Sequence, residues 1–171
     1  MLTVTETIGN IFHDKVLGEK FEQLRYTLKC EVVKISRTEL EKTRLRLKTN
    51  QGTDLGLILN SAPKLHNGDV LLNSPEKMVV IEQIPEKVIS IKIKKLAEDS
   101  QNETSVILGH IIGNRHRPIQ IDKKGIISFP ILADSEVEVF KKLFSKIINQ
   151  LEIKVENRIF EPKKEMDVHE H

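Results

Sequence analysis

Residues 88–112 read "VISIKIKKLAEDSQNETSVILGHII", and the change of period inside this stretch decides the fold. From Val88 to Ile93 apolar and polar residues alternate, the two-residue repeat of a strand with one buried face. Further on the apolar residues Ile107, Leu108, Ile111 and Ile112 make a single stripe at helical spacing. Ser100 and Glu103 have the spacing of a capping box. Gly113 and Asn114 are the residue types that best tolerate the left-handed conformation closing a helix. A strand feeding a helix is the opening half of a split βαβ unit.

Reading outward from this stretch completes the unit. "RPIQID" and "GIISFP" form a hairpin about Lys123 and Lys124. "DSEVEVFKKLFSKIINQ" is a second helix, with capping-box spacing at Ser135 and Glu138, acids leading, lysines following, and Val137, Phe140, Phe144 and Ile147 on one face. "LEIKVEN" closes as a strand. The expected order over residues 86–160 is βαββαβ, a ferredoxin-like unit. Upstream, "LKCEVVKIS", "TRLRLKT", "DLGLIL", "DVLLN" and "MVVIEQI" are short runs separated by turn residues such as Gly52 and Asn67-Gly68, the texture of a small all-β domain over residues 1–85. Residues 161–171, "EPKKEMDVHEH", are charged and proline-bearing and read as a flexible tail. The fold class expected is α+β.

Composition narrows the function. The chain has 171 residues, is 30% charged and carries a net charge of +2. So even a balance gives no footprint for a polyanion, and six Phe, one Tyr and no Trp leave few platforms for base stacking; nucleic acid is not expected. Cys30 is the one cysteine, unable to form an internal disulfide or a thiolate cluster, and reads as a small apolar strand residue. No apolar run reaches membrane-spanning length, and the first residues lack the pattern of a signal peptide. A cytoplasmic protein without membrane partners is expected.

Catalytic signatures are missing: there is no Gly-x-Ser-x-Gly, no P-loop and no Gly-x-Gly-x-x-Gly. The histidines are the candidates. His13 and His66 stand alone in polar, loop-like surroundings, where a surface histidine ordinarily does nothing. His110 lies off the apolar stripe and should face solvent or a partner. His169 and His171 put two imidazoles on the tail, a compositional metal signal. His116 sits at a corner between Arg115 and Arg117, a pair suited to phosphate or carboxylate but equally to plain surface charge. One chain offers no ligand set of fixed spacing. In a symmetric dimer, two copies of His116 near the two-fold axis, with tail histidines added, would supply four nitrogens. Gly109 and Gly113, four apart, would let a helix backbone approach a neighbour.

"GNRHRPIQI", residues 113–121, resembles the signature of the UreE urease accessory family of nickel metallochaperones. "TRLRLKTNQGTDLGLIL", "LHNGDVLLN" and "MVVIEQIPEKVISI" are similar to that family's N-terminal domain, and "RIFEPKK" followed by "HEH" to its C-terminal end. The resemblance implies a homodimer with a peptide-binding-like N-terminal domain and a ferredoxin-like metal-binding domain. It implies that His116 binds nickel at the dimer interface, with His169 and His171 joining it or forming accessory sites. It also implies delivery to the urease maturation complex through the GTPase UreG, with no catalysis. Imidazoles discriminate poorly, so zinc and copper suit the same donors. The second helix begins "LADSE", without the extra histidines some relatives carry there. The competing readings are a peptide- or protein-binding module with incidental histidines, and a metal-dependent hydrolase, which would need an acid or base beside His116.

Overall fold

A computed structural model describes residues 1–59 and 65–162. The chain divides into two compact units, the second beginning at Pro85.

The first unit runs β1 (Leu2–Val4), β2 (Gly9–Asn10), α1 (Lys15–Leu24), β3 (Cys30–Ile35), α2 (Arg37–Leu40), β4 (Arg44–Lys48), β5 (Asp54–Ile58), β6 (Asp69–Asn73) and β7 (Met78–Gln83). One sheet has the order β1-β5-β4 and the other β2-β6-β7-β3. Alternation explains the register: Leu55 and Leu57 pair with Leu47 and Leu45 and join Val33, Ile35, Val79 and Ile81 in one core. Gly52 and Gly68 hold φ of 84° and 86° at their turns, a conformation that costs any residue with a Cβ.

The unit is not all-β. Asp14 caps α1, its carboxylate accepting the N–H groups of Val16 and Leu17 at 2.9 and 3.1 Å. Leu17, Phe21 and Leu24 lie at helical spacing and pack with Val70, Met78 and Val80 in a second, smaller core. A capping box does occur in this unit, at α2, where the Glu39 carboxylate accepts the Ser36 N–H at 3.0 Å.

The second unit runs β8 (Glu86–Ile93), α3 (Glu98–Gly113), β9 (Gln120–Ile121), β10 (Ile127–Pro130), α4 (Glu136–Leu143), a 3₁₀ turn at Ile148–Gln150 and β11 (Leu151–Arg158). The order is βαββαβ, and the sheet runs β11-β8-β10-β9 with every pair antiparallel. Ile89 and Ile91 of the sheet meet Leu108 and Ile112 of α3 and Phe140 of α4. Phe140 lies between Phe129 and Phe144, with ring centroids 4.6 and 5.8 Å away, spacings at which aromatic quadrupoles attract.

The helix starts differ from expectation. α3 begins at Glu98 with Ala97 at the cap, so Ser100 falls inside the first turn, and its carbonyl accepts the Thr104 hydroxyl at 2.7 Å. Glu98 and Asp99 suit the positive end of the helix instead. Ser135 occupies the α4 cap but makes no side-chain cap bond. The α4 helix stops at Leu143, short of the expected span, while Phe144 and Ile147 stay buried in the turns that follow.

Candidate functional site

The last turn of α3 tightens before the chain leaves it. Asn114 N–H still reaches the His110 carbonyl at 3.0 Å, but Arg115 and His116 donate to Ile112 and Gly113, at 3.1 and 2.9 Å, one residue short of helical spacing. Asn114 keeps right-handed backbone, with φ −62°. The left-handed residue is neither Gly113 nor Asn114 but His116, with φ 50°. Its backbone turns the chain out of the helix, and its side chain is exposed. Pro118 follows two residues later and cannot extend the helix.

Beside this corner lies a groove of about 630 Å³ whose walls include Ser105, Gly109, Gly113, Arg117 and Ile119. A Cβ added at Gly109 or Gly113 would meet nothing within 4 Å among the described residues. Packing among the described residues does not require these two residues to be small.

The two arginines beside His116 part company. Arg115 is exposed. The Arg117 side chain is only 15% exposed and forms an ion pair with the carboxylate of Glu136, in the first turn of α4. The same carboxylate accepts the Leu132 N–H at 2.6 Å. Arg117 Nε is buried without a hydrogen-bond partner among the described residues. Sequence reasoning missed this pair, because 19 positions separate its members and only the packing of α4 against the sheet brings them together.

His110 is exposed on the last turn of α3, its Nε2 3.0 Å from the Asn114 side-chain amide. His13 is exposed, and His66 is exposed with Nδ1 3.8 Å from the Asp69 carboxylate. His169 and His171 lie outside the described residues. Among the described residues no three His, Cys, Asp or Glu side chains are grouped to hold a metal ion. Cys30 is buried, and burial pushes its thiol above the ordinary range against the pull of the Arg25 charge. No helix among the described residues is long and apolar enough to cross a membrane.

Residues 4–83, nearly the whole first unit, match the family described as UreE urease accessory protein, N-terminal domain. This match places a UreE N-terminal domain in the chain. A urease accessory protein UreE from Natronomonas pharaonis is 28% identical over 137 residues, covering 80% of this chain and 63% of that protein. That stretch is longer than the first unit, so the likeness to UreE proteins extends into the second. Urease accessory proteins UreE from Yersinia kristensenii and Yersinia pestis (strain Pestoides F) are 28% and 31% identical over 121 residues, covering 68% of this chain and 51% of theirs. The chain thus spans between half and two thirds of the length of the UreE relatives it matches.

Proposed function

We propose that this chain is a nickel metallochaperone of urease maturation that works as a cytoplasmic homodimer and catalyses nothing itself. The observation that carries the reading is the corner after α3. An exposed histidine in left-handed backbone stands beside a groove whose two glycines face open space. In this reading a second copy packs against those glycines about a two-fold axis, and two copies of His116 come together there. One chain lacks a metal-holding group among its described residues, so the ligand set is completed by the second copy and by His169 and His171 of the tails.

The chemistry suits transfer rather than storage. Neutral imidazole is a good nickel donor. Ligands shared between two chains can be released one at a time, and a recipient's donors can replace them. The recipient is the urease maturation complex, reached through the GTPase UreG. The test is a nickel titration of the full chain with the intact assembly weighed at each step. One tight nickel per dimer, lost in His116→Ala with the dimer retained, is the expected result. A tight site that survives His116→Ala removes the assignment, and a histidine set with no tight site supports a peptide-binding module instead.

A further inference from the structure

The Arg117–Glu136 ion pair is a stronger feature than its place on the surface suggests. Both side chains are largely withdrawn from water, at 15% and 25% exposure, where a charge pair is less screened than a surface one. The Glu136 carboxylate holds the Leu132 N–H with one oxygen and Arg117 with the other, and it sits where the α4 dipole favours negative charge. Arg117 is the next residue after His116. The pair therefore ties the exit of α3 to the start of α4, two points that the chain reaches 19 residues apart. His116, with its exposed side chain and positive φ, is the residue immediately upstream of that tie.

We infer that Arg117 and Glu136 are positioning residues for metal capture: their ion pair fixes the His116 corner so that its imidazole is presented in one place. The inference rests on the reading that His116 is the nickel ligand. Neither Arg117 nor Glu136 touches the metal. Their effect is that of groups outside the ligand shell, whose loss lowers metal affinity by roughly 10–100-fold when ligand orientation depends on them. It also accounts for the two arginines flanking His116: Arg117 is committed to Glu136, so the pair is not an anion clamp.

The test uses the full-length protein, with nickel titrated by calorimetry and the absorption spectrum of the cobalt-loaded form recorded. Glu136→Gln keeps the shape of the side chain, and Arg117→Met keeps an unbranched stem without the guanidinium and its charge. Each should weaken nickel binding about tenfold and alter the cobalt spectrum while the dimer mass is unchanged. The double variant should be no weaker than either single, because the two residues act as one unit. Arg117→Lys, which keeps charge but loses the fork, should fall between, and it carries the test if Arg117→Met does not fold. Wild-type affinity and spectrum in Glu136→Gln, with the site lost in His116→Ala, would overturn the positioning role and leave the ligand assignment standing. Losses that multiply in the double variant would also overturn it. A tight site retained in His116→Ala would overturn the ligand assignment and this inference together.

Discussion

His116 holds a backbone conformation that glycine adopts more readily. Replacement by glycine should leave stability unchanged or raise it by about 0.5–1 kcal/mol, while His116→Val, with a β-branched side chain, should lower it by about 1–2 kcal/mol. Thermal melts of the two variants check this, and they separate the cost of the backbone from the loss of the imidazole. Glu31 poses a different test at the same scale. It is 4% exposed, with Lys77 at 2.6 Å and the Thr49 hydroxyl at 2.7 Å. Burial alone would raise its carboxyl, but hydrogen bonds from Lys77, Thr49 and Thr53 outweigh burial and hold it below the ordinary value. A depressed carboxylate contributes stability that is present above its unfolded value and is lost as pH falls through the folded one. Denaturant melts from pH 6 downward should show that loss, and Glu31→Gln should flatten the acid limb. At neutral pH the same variant should cost about 2 kcal/mol, less than the roughly 3–5 kcal/mol of a fully buried pair, because Lys77 still reaches water.

Helix α3 carries glycines that packing among the described residues does not need. Gly109 is exposed in the helix interior, so Gly109→Ala should stabilise the protomer by about 1 kcal/mol, read as a higher melting temperature in dilute solution. Gly109→Leu should leave the protomer folded and weaken self-association, measured by sedimentation. Unchanged association would mean that the groove is not where two copies meet. In α4, Phe140→Ala should cost about 3–5 kcal/mol, because the ring fills the space between Phe129 and Phe144. Strand β4 was legible because it turns one face inward, and inward positions on alternate residues write a period of two into the sequence. Gly52 and Gly68 marked their turns for a reason equally local. Helix α1 went unread although its signal was present, Asp14 followed by Leu17, Phe21 and Leu24 at helical spacing. The α3 and α4 caps misled because serine and glutamate three apart satisfy a pattern whose hydrogen bonds only a particular backbone can form.

For the whole molecule, the proposed site is divided between what one chain shows and what the proposed dimer would add. The Gly-Asn-Arg-His corner could be read from adjacent residues. The Arg117–Glu136 tie could not, since it exists only once α4 has packed on the sheet. Removal of residues 167–171 takes away both tail histidines, and nickel should then bind more weakly through the His116 pair. Imidazole must be deprotonated to coordinate, so acid competes with nickel. Affinity measured from pH 8 to pH 5 should fall with a steeper slope in the full chain than in the truncated one. Equal slopes would take His169 and His171 out of the shared site.

The sequestered Cys30 sulfur offers a clock. It is 3% exposed in β3, and no other cysteine exists in the chain to confuse its signal. A colourimetric disulfide reagent should stay pale over the folded protein and develop only as individual molecules breathe open at that strand. With reagent in excess, the half-time of colour reports how often the first unit opens, with nothing from the second unit mixed in. Added nickel, if its binding is confined to the second unit, should leave that half-time unaltered.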